Sequence, residues 1–176
     1  MKSNDLKEAL MKSQKIKPLF ISVIILIAFT IGCGDGTTNF NLRPPDLSTV
    51  PPPIDTTNAE RIELRDGLVF YRIEEGSGEF EVVRRDNIRW HFTLRTADGE
   101  VIRSSYADDN TTPRVISVQN SETEGLRRGV VGMKEGEVRV IVVPPPLGFE
   151  NVSVVNPDAE FREDTLIYDV ELFEII

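Results

Sequence analysis

Apolar and polar residues alternate in short runs along the second two thirds of the chain, and that alternation predicts strands. Leu68, Val69, Phe70, Tyr71, Arg72 and Ile73 form a mostly apolar, strand-prone run, and Gly76 and Gly78 punctuate its end. Ile88, Trp90, Phe92 and Leu94 alternate with Arg89, His91, Thr93 and Arg95. That spacing predicts a half-buried strand with one wet face. Asp98-Gly99 is a hairpin signal, with Val101 and Ile102 opening the partner strand. Val115, Ile116 and Val118 suggest a short strand after the polar loop from Asp108 to Thr112. Val138, Val140 and Val142 alternate with Arg139, Ile141 and Val143 after a turn at Gly136, and the closing strand places Leu166, Tyr168, Val170 and Leu172 on one face.

One helix is expected within this region, from Ser121 to Val131. Ser121 with Glu124 three residues on has the form of a capping box. Gly125 and Gly129 are each expected to weaken that helix by about 1 kcal/mol relative to Ala. The pattern reads as an α+β domain over residues 60–176: a twisted antiparallel sheet of five to six strands wrapped around one short helix.

The first 59 residues follow other rules. Lys2, Lys7, Lys12, Lys15 and Lys17 precede an apolar run from Leu19 to Ile31. The run is short for a bilayer span, which takes about 20 apolar residues. A basic start, a short apolar stretch and a small residue at its end describe an export signal over residues 1–32. Thr30-Ile31-Gly32-Cys33 resembles a bacterial lipobox, which implies lipidation at Cys33. With one Cys in the chain, an internal disulfide is excluded. Residues 33–59 carry Pro44, Pro45, Pro51, Pro52 and Pro53 with no apolar period. They read as a flexible, Pro-rich tether.

Charge and composition narrow the chemistry. The 176 residues carry a net charge of −9. Five of the 20 basic and two of the 29 acidic residues precede Cys33, so the chain from Cys33 onward has 15 against 27, or −12. Such a domain repels phosphate backbones and anionic headgroups, so no nucleic acid partner is expected, and acyl chains rather than surface charge would hold it to a membrane. The sole His, His91, is read as a surface residue of the wet strand face. A structural zinc site has too few ligands, and no Ser-His-Asp set exists without His91. No G-x-G-x-x-G or G-x-x-x-x-G-K-[ST] loop occurs. Glu74-Glu75 and Asp108-Asp109 read as solvated loop charge.

Four segments carry a resemblance. GLVFYRIEEGSGEF, NIRWHFTLRTADGEVIRSSY, GLRRGVVGMKEGEVRVIVVPPPLGF and DTLIYDVELFEI, in that order over Gly67–Ile176, are similar to the FKBP-type peptidyl-prolyl cis-trans isomerase domain. The resemblance implies a sheet wrapped on a short helix and an aromatic bowl between them, with no cofactor and no metal. Position by position it places Phe92, Ile102, Arg103, Thr123, Leu126, Phe149 and Tyr168 at that bowl. Phe92 stands for a usual Tyr, Ile102-Arg103 for Phe-Asp, Leu126 for Trp and Phe149 for Tyr; Tyr168 keeps a ring where the family has Phe. Arg114 falls near a usual Phe, and Glu122-Thr123 replace Val-Ile. Val152 to Phe161, the loop expected to close over the bowl, matches poorly.

The resemblance implies isomerisation of X-Pro bonds in unfolded or proline-containing polypeptides, weakened by a smaller floor and a charged rim. With the lipobox it implies a monomer anchored in a bacterial envelope, its domain on the periplasmic side. The alternative is a binding module that kept the fold and lost catalysis.

Overall fold

The structure, a computed structural model, describes residues 43–176. The expected signal segment and Cys33 lie outside the described residues. Residues 44–176 form one compact unit.

Seven strands make one antiparallel sheet. They are β1 (Glu60–Glu63), β2 (Val69–Glu74), β3 (Asn87–Thr96), β4 (Val101–Ser104), β5 (Arg114–Ser117), β6 (Val138–Val143) and β7 (Leu166–Ile175). The order across the sheet is β1-β2-β6-β7-β3-β4, with β5 also paired to β3. β3 and β7 are the long central pair, in register from Ile88 opposite Ile175 to Thr96 opposite Leu166. The expected count of five to six strands is therefore short. Six strands follow the alternation seen in the sequence. The seventh, β1, reads Glu-Arg-Ile-Glu, an exposed edge strand with only Ile62 partly sheltered, so it has almost no apolar signature.

The inner face of the sheet packs on α1 (Glu124–Val130). Leu126 and Val130 from the helix meet a core that includes Ile88, Trp90, Leu94, Ile141, Val143, Leu166, Tyr168, Val170 and Leu172. The expected capping box is corrected. Thr123 is the N-cap, its Oγ1 accepting from Leu126 N–H at 3.1 Å, while Ser121 Oγ donates to the Val118 carbonyl and closes a preceding 3₁₀ turn. The two helix glycines are what let helix and sheet touch. A Cβ at Gly129 would come within 2.5 Å of Ile141 Cγ2, and one at Gly125 would collide with Val143.

The outer face is not wet. His91, Thr93 and Arg95 are buried, and of the alternating polar positions only Arg89 remains exposed. The reason is the segment expected to be a free tether. Asp46 and Asp108 exchange two hydrogen bonds of 2.9 Å, one from the Asp46 N–H to Asp108 Oδ1 and one from the Asp108 N–H to the Asp46 carbonyl. Thr49 Oγ1 donates to the Tyr106 carbonyl at 2.8 Å, and Arg95 donates to the Pro51 carbonyl. Pro51, Pro52 and Ile54 then roof a small cavity of about 90 Å³ over His91, Thr93 and Asp169. Residues 44–59 thus belong to the folded unit, and the boundary moves from residue 60 to 44. His91 is a packed residue, stacked on Tyr106 at 4.2 Å, with Nδ1 2.9 Å from Ser105 Oγ.

The C-terminus of α1 ends on a buried cation. Arg139, from β6, donates from Nη1 to the carbonyls of Gly129 (2.8 Å) and Val131 (3.1 Å), and from Nη2 to Gly132 (2.9 Å). Its Nε meets Glu137 at 2.5 Å and its guanidinium lies 4.1 Å from the Phe70 ring centre. These carbonyls are the orphan acceptors that a helix end leaves, and the positive charge suits the negative end of the helix dipole.

Candidate active site

The strand pleat sets the site. Trp90 and Phe92 are two residues apart on β3, so both side chains leave the same face. Their rings stack, with centres 4.8 Å apart and planes 19° apart. Val115 and Ile116 of β5 and Leu126 of α1 complete the apolar lining of an open hollow of about 290 Å³. Its polar rim is Arg103, Arg114, Asn120 and Glu122.

Three of the seven residues expected at the bowl, Phe92, Arg103 and Leu126, line this hollow, and the other four do not. Ile102 sits at a break in the β3–β4 register, packs partly buried against the core, and lines a neighbouring groove with Arg103, Pro157, Asp158 and Phe161. Phe149 and Tyr168 are 1% and 0% exposed, within the core. Thr123 is also buried, beneath the rim, its Oγ1 3.3 Å from the Tyr168 hydroxyl. The single open aromatic bowl implied by the resemblance is therefore corrected. An open half is lined by the partly exposed Phe92 and Ile116, with Trp90 and Leu126, themselves buried, as its floor, and a closed half holds Phe149 and Tyr168.

A charge network seals the closed half. Arg103 Nη1 lies 3.0 Å from Glu122 Oε2, and Nη2 pairs with Asp158. The same guanidinium sits 5.8 Å from the centre of the Phe149 ring. Tyr168 donates its hydroxyl to Glu122 Oε1 at 3.0 Å. Glu122 has an exposed backbone, but its side chain is only 25% exposed. Burial raises the Glu122 carboxyl above its ordinary range, and the neighbouring Asp158 adds to the rise; the Arg103 charge and the Tyr168 hydrogen bond oppose it. Burial, then the Glu122 charge, pushes the Tyr168 hydroxyl well above its ordinary value, so it stays a donor at neutral pH.

Trp90, Val115, Asn120 and Asp158 were not among the expected site residues. Trp90 was findable, since it shares the pleat face of Phe92. Asp158 sits in the poorly matching loop, within a 3₁₀ turn over Pro157–Phe161. Its only sequence signal was that Arg103 needed counter-charge.

Comparison with known proteins agrees with this geometry. Residues 78–173 match the family described as FKBP-type peptidyl-prolyl cis-trans isomerase, and the chain belongs to that family. Peptidyl-prolyl cis-trans isomerase Mip of Chlamydia trachomatis is 32% identical over 114 residues, covering 64% of this chain and 43% of that protein. The chloroplastic peptidyl-prolyl cis-trans isomerase FKBP16-1 of Arabidopsis thaliana is 24% identical over 127 residues, covering 65% and 61%. Among solved structures, FkpA of Escherichia coli superposes with a TM-score of 0.54 at 25% identity, covering 65% of this chain and 51% of that one. The chain spans less than two thirds of the length of each of these three relatives.

Proposed function

We propose that the domain isomerises X-Pro peptide bonds in unfolded polypeptides, with modest efficiency. The observation that carries this reading is the open hollow of Trp90, Phe92, Ile116 and Leu126 within an FKBP-type domain. The reaction needs no nucleophile. The barrier to turning a peptide bond, about 18–20 kcal/mol, is the loss of amide resonance. An apolar pocket disfavours the dipolar planar amide relative to the twisted one. In this reading the prolyl ring sits on Leu126 between the Phe92 ring and Ile116. Each contact speeds the step only where it is stronger at the twisted amide.

Modest efficiency follows from the closed half. Phe149 and Tyr168 reach a substrate only if Arg103 leaves Glu122 and Asp158. That seal also favours a second reading, a binding module in which the open half holds a partner segment without turning it over. Phe92→Ala tests the hollow, because Phe92 is partly exposed; it also packs on the core, so the variant's circular dichroism is compared with the parent's. A protease-free assay on an X-Pro peptide is expected to show turnover in the parent and a loss of about tenfold in the variant. No turnover in the parent, with peptide still bound, establishes the module.

The lipobox-like Thr30-Ile31-Gly32-Cys33 supports the further reading that Cys33 carries lipid and that the domain works as a monomer on exported chains in a bacterial envelope. Metabolic labelling with a fatty acid tests it: label is expected on the parent and absent from Cys33→Ser.

A further inference from the structure

On a domain this acidic, one hollow is basic. Four arginines, Arg65, Arg84, Arg127 and Arg128, line a depression of about 390 Å³ with Leu64 and Val131 as its apolar wall. They arrive from three places. Arg65 opens the turn between β1 and β2, Arg84 follows Val83 ahead of β3, and Arg127 and Arg128 lie on the last turn of α1. The assembly is fixed by backbone pairing, since Val82 N–H donates to the Met133 carbonyl and Gly132 N–H to the Val82 carbonyl. Arg128 is also tied to the Arg65 carbonyl at 2.9 Å.

Charge in the hollow is left unbalanced. Arg128 pairs with Asp66, and Arg127 with Glu124. Arg65 and Arg84 have no acidic partner among the described residues. Four cations thus face two acids. Arg127 Nε, shielded from solvent, has no acceptor. Arg127 is also held below its ordinary pKa, first by burial and then by the Arg84 charge. Like charges gathered in one hollow, on a chain of net charge −9, oppose folding unless an anion joins them.

We propose that this hollow binds a phosphate group. Guanidinium forks match the oxygens of a phosphate two at a time, and the two unbalanced charges match a phosphate dianion. A single depression suits a single group rather than the repeated phosphates of a nucleic acid. The group has two possible sources, a free phosphate and the headgroup of an anionic lipid. The exposed side chains of Val83 and Val131, beside the arginines, would meet the acyl boundary in the second case.

The full chain and its Arg65→Ala/Arg84→Ala variant decide the matter. Both side chains are exposed and unpaired, and their removal relieves repulsion, so the variant is expected to keep the parent's circular dichroism and to melt no lower than the parent in phosphate-free buffer. Inorganic phosphate, against chloride at equal ionic strength, is expected to raise the melting temperature of the parent and to bind at least about tenfold more weakly to the variant. Vesicles of phosphatidylglycerol and of phosphatidylcholine identify the source. Parent retention on the former beyond the latter, lost in the variant, assigns the headgroup; phosphate binding without that retention assigns a soluble ligand. Failure of both probes to bind, or binding unchanged in the variant, overturns the site.

Discussion

Arg103 and Glu122 meet at 3.0 Å across one edge of the apolar hollow, joining β4 to the residue just ahead of the helix cap. The pair places a guanidinium above Phe149, and so divides one pocket into an open half and a sealed one. Breaking it is the cost a substrate meets before it touches the sealed rings. Pairs this exposed contribute about 0.2–1 kcal/mol. Arg103→Ala is therefore expected to raise kcat/KM on a prolyl peptide by about two- to fivefold and to lower stability by less than about 1 kcal/mol. Equal or lower kcat/KM in the variant would show that the pair does not obstruct the site.

The helix glycines invert the usual expectation. Propensity alone says that Gly129→Ala stabilises by about 1 kcal/mol. The structure predicts the opposite, because the new methyl meets Ile141 Cγ2 at 2.5 Å. Overpacking of this kind costs about 1–3 kcal/mol. Urea denaturation is expected to show a lower midpoint at unchanged slope; a higher midpoint would mean that the sheet yields.

These glycines also mark where the sequence stops being legible. The period-2 runs located six strands, because each has one face in the core. Leu166, Tyr168, Val170 and Leu172 do share a buried face. Gly129 read only as a helix weakness, since the chain does not say which side chain lies across from it. The outer face of β3 was misread for a related reason. Its polar alternation is that of a wet face, and what covers it is a proline-rich segment some 40 residues earlier with no apolar period of its own. At the site, Phe92, Arg103 and Leu126 followed from position-by-position resemblance. The Arg103 link to Asp158 did not, because it depends on how a loop without a matching pattern folds back.

The covering segment gives a prediction of its own. A tether can be removed without loss. Here residues 46–51 satisfy the Asp108 and Asp109 backbone and accept from Arg95, a buried cation also 3.3 Å from Asp169. Arg95 would lose an acceptor without them, and an unsatisfied buried polar group costs about 1–3 kcal/mol. Deleting residues 44–54 is expected to lower the melting temperature by several degrees relative to a chain cut just before residue 44. Identical melting curves would return the segment to the status of a tether.

Arg139 is the one charge whose loss the core is least able to absorb. Truncation to Ala strips acceptors Gly129, Val131 and Gly132 of their donor and leaves Glu137, itself buried, with only the Arg72 guanidinium at 3.3 Å as a charge partner. Breaking a buried pair by removing one partner costs about 3–5 kcal/mol. Arg139→Ala is expected to unfold at much lower urea, while Arg139→Ala with Glu137→Gln recovers part of the loss. A single variant within about 1 kcal/mol of the parent would refute the role given to this side chain.

Glu122 makes the latch sensitive to pH, and the sign follows from its surroundings. Burial raises its carboxyl above the ordinary value of 4.5, with the Arg103 charge and the Tyr168 hydrogen bond opposing the rise and Asp158 adding to it. The folded protein thus keeps this proton to higher pH than the unfolded chain. Stability from Glu122 is accordingly present at low pH and lost as pH rises from 4.5 through the raised value. Glu122→Gln removes that titration while leaving other carboxylates in place, including Asp169, which burial also raises. Across this window the parent is expected to lose stability relative to Glu122→Gln as pH increases. Protonation also deprives Arg103 of its partner on the rim, so parent turnover is expected to climb towards acid while that of Glu122→Gln stays flat. Parallel profiles for the two proteins, in urea midpoint and in kcat/KM, would show that the carboxyl titrates at its ordinary value and that the latch does not depend on it.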